Sequence, residues 1–290
     1  MCIRDRFYGG TQYGYRAGGH APDVNVIDKY SLTTDGHATD VGDLSLVRHA
    51  PSGNSSKAYG YSCGGNPGNI NTIEKYSFTA DGNATDAGDL TVGRSYGTEP
   101  GASSSSHGYT SGGSASGGAS NVIDKFAFDT GANAADVGDL ETARGSSYGH
   151  TSTTHGYSAH NAQIDKFSFA SDGNATDVGG LSTGQASGGA GTSSGTYGYS
   201  SGAEPYNGSH GTVIDKYSFA SEGATSDVGD LTLGRGNMAG SSSTTYGYTH
   251  GGDGGGYRNI IDKFSFSTDG NATDVGDLTQ SISYLSGSHY

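Results

Sequence analysis

The chain of 290 residues contains no tryptophan, two cysteines and five prolines. Cys2 and Cys63 are too few for a disulfide framework. No apolar run approaches the roughly 18 residues of a membrane-spanning helix, so the sequence predicts no membrane insertion. A secretory signal peptide is also missing. No apolar pattern of helical period is long enough to predict a helix.

Positive charge is scarce as well, because 15 basic residues stand against 29 acidic ones and the formal net charge is −14. No cluster of Lys or Arg interrupts this acidic surface. Such a surface repels nucleic acid and anionic membranes, so the composition predicts that neither is a partner. Charge alone identifies no function.

The abundant features are 53 glycines and a segment that recurs six times. In its clearest copy, Ile261 to Leu278, an alternating apolar run meets Asp-Gly-Asn and is followed by Val-Gly-Asp-Leu. Asp-Gly between two strand-like runs is typical of a β-hairpin. The copies are 41 to 50 residues apart and are anchored at Asp28, Glu74, Asp124, Asp165, Asp215 and Asp262. This spacing predicts an ordered array of one β unit.

Each unit contains four short strand-like runs, of which the third is the Ile-Asp-Lys-aromatic segment. In the third unit, Phe126 and Ile123 fall on opposite faces of that run, so both faces are apolar. A sheet with two apolar faces must lie between two neighbours, which a closed ring of sheets provides. We therefore predict an all-β fold, a β-propeller of about six four-stranded blades. The alternative is a linear β-solenoid.

The two ends of the chain differ from each other. Residues 1–6 fit no part of the repeat and resemble the translation of a transposase adapter used in sequencing libraries, so we interpret them as a processing scar. On this interpretation, the native start lies upstream and an export signal has been lost. Residues 7–290 are predicted to form a single propeller domain. The tail around Ser288 is placed to pair with the opening unit and close the ring.

The unit resembles the kelch repeat of β-propellers. The shared landmarks are a Gly pair that closes the second strand, an aromatic residue in the third, and Gly-x-Leu-x3-Arg after the fourth. The chain departs from that family where Asp40-Val41 and its counterparts replace the usual Trp, and in the fourth unit, where Gly180 and Gln185 replace Asp and Arg. The repeats are also similar to uncharacterised propeller-type proteins of marine microbes and their phages. We expect an extracellular or virion setting.

Every unit contains an acidic residue followed by Lys, and neighbouring strand residues point to opposite faces. Each pair therefore presents one charge to each neighbouring blade. A ligand site would have to occur six times, so we interpret these residues as structural ion pairs between blades, with the Arg after the fourth strand as a further candidate partner. They are Asp28, Lys29, Glu74, Lys75, Asp124, Lys125, Asp165, Lys166, Asp215, Lys216, Asp262 and Lys263.

Metal and catalytic motifs are incomplete. Turns such as Asp81 to Asp86 align oxygen ligands, but they lack the closing Glu of a calcium loop, so a plain turn is the simpler interpretation and calcium the alternative. The ten histidines lack metal-ligand spacing. No nucleophile motif or distinctive carboxylate pair marks an active site. We predict no cofactor, no metal site and no enzymatic activity.

Antiparallel strands place the connections between strands 2 and 3, and between one unit and the next, on the same rim. These loops vary most between units, and loops on a rigid scaffold usually carry specificity. Tyr206, His210, Tyr257 and Arg258 combine aromatic area with polar tips, as interface anchors do. We therefore predict a recognition or adhesion module that binds a protein or glycan at this rim. The alternatives are a secreted enzyme, carbohydrate-active or copper-dependent, and a display array without a specific ligand. The oligomeric state is not predicted.

Overall fold

The computed structural model describes residues 9–182, 188–203 and 210–290. Within these ranges the protein is all-β, with six four-stranded antiparallel sheets and one small three-stranded sheet. Each repeat unit contributes to one four-stranded sheet, and the predicted all-β class is confirmed. In the same part of the chain, no helix is long and apolar enough to cross a membrane.

We number the four-stranded sheets 1 to 6 in chain order and give their strands in the order in which they pair. Sheet 1 contains Ser286–His289, Tyr13–Gly19, Val24–Ser31 and Thr39–Asp43. Sheet 2 contains Ser52–Ser55, Tyr59–Cys63, Thr72–Ser77 and Thr85–Asp89. Sheet 3 contains Ala102–Ser103, His107–Ser111, Val122–Ala127 and Ala135–Asp139.

Sheet 4 contains Tyr148–Thr151, His155–His160, Gln163–Ser168 and Thr176–Asp177. Sheet 5 contains Ala190–Ser193, Tyr197–Ala203, Gly211–Ser218 and Ser226–Asp230. Sheet 6 contains Ala239–Ser242, Tyr246–His250, Arg258–Ser265 and Thr273–Ile282. The small sheet contains Gly118–Ala119, Ser114–Ala115 and Arg94–Ser95.

Sheet 1 is assembled from both ends of the chain. Its first strand is the C-terminal strand, in which Ser288 pairs with Tyr15 and Gly287 with Arg16. The pairing expected between the tail and the opening unit is therefore present.

The hydrophobic core is divided into six clusters, each of which lies between two consecutive sheets. The third strand of sheet 3 shows the principle. Phe126 packs against Tyr61 of sheet 2, with ring centroids 5.4 Å apart, while Ile123 packs with Phe167 of sheet 4. Both faces of this strand are buried, as its alternating pattern predicts. The sixth cluster joins sheet 6 to sheet 1.

The first strands of the six sheets contact one another in cyclic order. All of these strands except that of sheet 3 contain a glycine with backbone of the neighbouring sheet directly against it, for example Gly191 against Gly149 and Gly240 against Gly191. A Cβ at these positions would overlap that backbone, so the close approach of the strands requires glycine.

Two circuits of hydrogen bonds link the six units. In the first, each backbone N–H donates to the carbonyl of the preceding member, and Ala50 closes the circuit by donating to Tyr284 at 2.7 Å. All six members have positive φ: Ala50, Tyr96, Ser146, Gly188, Asn237 and Tyr284. In the second circuit, the backbone N–H of each member donates to the side chain of the member in the next sheet. The Ser55 N–H donates to Ser103 Oγ at 3.1 Å, and the His289 N–H closes the circuit by donating to Ser55 Oγ at 3.0 Å. Its members are Ser55, Ser103, Thr151, Ser193, Ser242 and His289.

The acidic residue of each repeated pair is buried against the preceding sheet. Asp124 accepts hydrogen bonds from the N–H and hydroxyl of Thr91, at 3.1 and 2.6 Å, and forms an ion pair with Arg94 at 3.0 Å. The corresponding Arg after the fourth strand also pairs at three other junctions: Arg48 with Glu74, Arg144 with Asp165 and Arg235 with Asp262. Asp215 instead accepts from the Ser182 N–H and the Thr225 hydroxyl, and Gln185 at its Arg position lies outside the described residues.

Sheet 1 receives its guanidinium from a different strand. Ile282 of sheet 6 occupies the position that the paired Arg has in four other units. Its carbonyl accepts a hydrogen bond from the Gly252 N–H, and the Arg48 carbonyl accepts the equivalent bond from the Gly19 N–H. Arg16, from the second strand of sheet 1, pairs with Asp28 at 2.9 Å, and both side chains are fully buried. The ion pair is retained although the Arg comes from a new place in the sequence.

In five of the six pairs, the Lys forms an ion pair with the following sheet. Lys29 reaches Asp81 at 2.6 Å, and four other lysines make the same contact with the loop between the third and fourth strands: Lys125 with Asp172, Lys166 with Glu222, Lys216 with Asp269 and Lys263 with Asp35. Lys75 lies over the Tyr59 ring at 5.2 Å, and Gly131 occupies the place of the acidic partner. Five of the six repeated pairs thus contact both neighbouring sheets, and Glu74 with Lys75 is the exception.

Candidate functional site

The candidate site lies on the rim formed by the connections between strands 2 and 3 and by those between sheets. Six side chains from five of these connections meet there, and we call them the rim cluster: His20, Asp23, His49, Tyr96, Tyr257 and Tyr284. His20 and Asp23 stand at the two ends of the loop before Val24, whereas His49 follows the fourth strand of the same sheet.

One carboxylate oxygen joins the two histidines. Asp23 Oδ1 lies 2.6 Å from His20 Nδ1 and 2.9 Å from His49 Nδ1. The first contact is a hydrogen bond. The second lacks hydrogen-bond geometry, so the buried Nδ1 of His49 has no hydrogen-bond partner among the described residues. Three groups that can each donate a lone pair thus converge on one point.

The backbone holds both histidines in place. The N–H of His20 donates to the Ser283 carbonyl at 2.8 Å. His49 and Asn66 exchange two backbone hydrogen bonds, at 2.9 and 2.8 Å. The two imidazoles, with ring centroids 4.9 Å apart, are therefore positioned by contacts with neighbouring sheets.

Three tyrosines surround the imidazoles. The Tyr257 ring meets His20 edge-on at 6.0 Å, and Tyr284 lies 6.4 Å from His20 and 6.2 Å from His49. Tyr96 lies 6.2 Å from His49 and perpendicular to Tyr284 at 5.4 Å. Tyr257 is 40% exposed. Aromatic rings with polar tips that remain accessible to solvent can provide a large contact area for a ligand.

Tyr96 and Tyr284 also line a depression at the centre of this rim, together with Asn237, Met238 and Glu99. The Glu99 carboxylate accepts from the Gly53 N–H at 2.9 Å and from the Gly287 N–H at 2.7 Å. Burial raises the pKa of Glu99 well above its usual range, and the two hydrogen bonds only partly offset that effect. A buried carboxyl group with a raised pKa is therefore among the residues that line the depression.

The rim cluster interrupts the repeat. Asn66, Ser114 and Asp253 occupy the position of His20 in three other units, each following a Gly pair. Ser95, Gly236 and Ser283 occupy the position of His49. Both positions vary between these units, and of the four units compared only the first has histidine at both.

The four predicted rim residues have different outcomes. Tyr257 belongs to the rim cluster through its contact with His20. Arg258 donates to the Gly254 carbonyl of its own loop at 2.9 Å. His210 lies immediately before the strand Gly211–Ser218 of sheet 5 and is not a member of the cluster. Tyr206 lies outside the described residues.

The sequence prediction missed His20, Asp23, His49, Tyr96 and Tyr284. The two histidines are distant in sequence, so they do not have the tight spacing of a metal-ligand motif. The available signal was their departure from the residues at the same position of the other units.

The turns considered for calcium use their oxygens between sheets. Asp81 pairs with Lys29, and Asn83 Oδ1 accepts from the Asp43 N–H of the preceding sheet at 3.1 Å. Among the described residues, the one group of three or more His, Cys, Asp or Glu side chains with converging ligand atoms is His20, Asp23 and His49.

No protein-family model matches the chain. No curated protein is detectably similar to it.

Proposed function

We propose that the chain is a six-bladed, kelch-like β-propeller that acts as a non-catalytic recognition or adhesion module. Its ligand is a protein or a glycan bound at the rim that carries the rim cluster. An extracellular or virion surface remains part of this proposal.

The cyclic contacts support a propeller over a linear solenoid. Six core clusters separate six sheets, and the last joins sheet 6 to sheet 1. Both hydrogen-bond circuits return to their starting unit, as Ala50 does at Tyr284. A solenoid has two free ends, so neither circuit would close in it.

The rim cluster carries the functional proposal. A framework built from one repeated unit concentrates tyrosines and histidines at one rim, next to a central depression. Tyr is enriched where proteins bind partners, because its ring buries a large area and its hydroxyl can form a hydrogen bond. Loops at one end of a rigid β framework are also where specificity is usually found.

The test is a glycan-array and cell-surface binding screen with the full chain, followed by affinity measurements on variants. Two variants remove the aromatic area: Tyr257→Ala, and the double variant Tyr96→Ser with Tyr284→Asn. Ser146 and Asn237 occupy the equivalent positions of other units with the same positive φ, so the Ser and Asn replacements fit the framework. We expect each to weaken binding roughly tenfold or more, as loss of an interface anchor does.

Tyr246→Ala is the matched control. Tyr246 is 36% exposed, close to the 40% of Tyr257, but it begins the second strand of sheet 6, at the opposite rim. Equal losses in Tyr246→Ala and Tyr257→Ala would reject the rim assignment. A folded chain that binds nothing in the screen would favour the display array, and turnover of a bound glycan would favour the enzyme.

A further inference from the structure

We propose that His20, Asp23 and His49 of the rim cluster form a binding site for one zinc ion. This inference goes beyond the recognition role and does not depend on the identity of its ligand. It is based on the positions of three side chains from two connections of sheet 1.

The chemistry of the donors selects the kind of ion. Two imidazoles and one carboxylate form a nitrogen-rich set that suits zinc, which is commonly held by three protein ligands when its fourth position stays open. Calcium prefers six to eight oxygens, and this group offers too few. A divalent cation would also be drawn to the strongly acidic protein as a whole, whose formal net charge is −14.

The distances are close to those that a zinc ion requires. The ligand atoms of the three residues all lie within 4.8 Å of one another. Tetrahedral zinc with bonds of about 2.0–2.1 Å separates its ligand atoms by about 3.3 Å. The present separations from Asp23 Oδ1, 2.6 Å to His20 and 2.9 Å to His49, need to lengthen by less than 1 Å.

His49 Nδ1, which has no hydrogen-bond partner among the described residues, supports the site independently of the distances. Buried polar atoms normally have a hydrogen-bond partner. His49 Nδ1 is buried and lacks one among the described residues, although a carboxylate oxygen lies 2.9 Å away. A metal ion between these atoms would satisfy the nitrogen lone pair and the carboxylate together.

The site is accessible from solvent. The His20 side chain is 41% exposed and that of Asp23 26%, while His49 lies deeper at 16%. Tyr257 and Tyr284 stand beside the imidazoles without covering them completely. The fourth zinc position would therefore face the rim, where water or an oxygen or nitrogen donor of a bound partner can occupy it.

The experiment is calorimetric titration of the full chain with zinc chloride after treatment with EDTA and removal of the chelator, with the zinc content counted by mass spectrometry under native conditions. We expect one zinc ion per chain. His20→Asn, Asp23→Asn and His49→Ser should each weaken binding roughly tenfold or more. Asn66 and Ser95 occupy the equivalent positions of another unit, so the Asn and Ser replacements of the two histidines fit the framework. Unfolding curves measured in the presence of EDTA should show that each variant is folded without metal.

His107→Tyr is the matched control, because it removes a histidine at a position where other units carry Tyr59 and Tyr246. It should bind zinc like the parent chain. The site is rejected if the parent binds less than one equivalent, if folded site variants keep its affinity, or if His107→Tyr loses as much.

A cobalt(II)-loaded chain gives a second readout, since a site of low coordination number produces visible absorption that the site variants should lose. Zinc binding without any partner in the glycan and cell-surface screen would reject the recognition role alone. Partner binding by a chain that takes up no zinc would reject the zinc site alone.

Discussion

We predict that removing Arg16 from the second strand of sheet 1 destabilises the protein, and that adding an arginine at the end of sheet 6 restores most of the lost stability. Arg16→Thr leaves Asp28 buried without its guanidinium, since both side chains of this pair are fully buried. Breaking a buried ion pair by removing one partner typically costs about 3–5 kcal/mol. Thr110 and Thr249 occupy the same position in sheets 3 and 6, so the replacement itself fits the strand.

Ile282→Arg should supply the missing charge. The Ile282 side chain lies against Gly19, just as the stems of Arg48, Arg94 and Arg235 lie against Gly65, Gly113 and Gly252. An Arg at this position can therefore follow the path that Arg48 takes to Glu74, where the ion-pair distance is 2.6 Å. In the presence of Arg16, however, the same change buries a second guanidinium beside a single carboxylate and should also be destabilising.

The assay is urea unfolding of the parent, both single variants and the double variant. We expect each single change to lower the free energy of unfolding by about 3 kcal/mol or more, and the double variant to recover most of that loss. A double variant as unstable as the sum of the single changes would contradict the assignment of Ile282 to the Arg position. The result also tests the junction of sheets 6 and 1.

Three further predictions concern burial and close packing. Because the pKa of Glu99 is raised in the folded protein, Glu99 stabilises the fold most below its unfolded pKa of about 4.3. As pH rises toward the folded pKa, the free energy of unfolding should fall by up to about 1.4 kcal/mol per pH unit. Glu99→Gln should abolish this pH dependence, measured by urea unfolding between pH 5 and 8. Burial lowers the pKa of His150 and of His250 to about 3, so the stability due to their neutral forms is present above about pH 6.5 and is lost by about 2 kcal/mol each on going to pH 5. His150→Asn with His250→Ser should reduce that acid loss, and an unchanged loss would show that these imidazoles are not its source. Gly191→Ala should cost about 1–3 kcal/mol because its Cβ meets the Gly149 backbone, whereas Gly195→Ala, with open space around it, should leave the melting temperature nearly unchanged.

The zinc and recognition proposals concern the same rim but involve different atoms. The zinc site uses the Nδ1 atoms of His20 and His49 with Asp23 Oδ1. The recognition site uses the accessible rings of Tyr257, Tyr96 and Tyr284. The two sets are in contact, but each has its own variants and its own measurement, zinc uptake for one and partner binding for the other.

The sequence alone determined the repeating unit, the all-β class and the burial of both faces of the third strand. These properties follow from a local pattern: alternation decides which side of a strand is apolar, and it is visible within a few residues, as at Ile123 and Phe126. The opposite directions of the charges in each repeated pair, such as Asp124 and Lys125, follow from the same alternation.

Only the tertiary structure decided which departures from the repeat come together. Arg16 pairs with Asp28 at the junction where Ile282, beside Gly19, stands at the position of the Arg. His20 and His49 meet, and Tyr284 joins them, because five connections end at one rim. The number of residues between such positions does not fix their distance in space. The packing of one sheet on the next fixes that distance, and so it assembles the rim cluster from distant parts of the sequence.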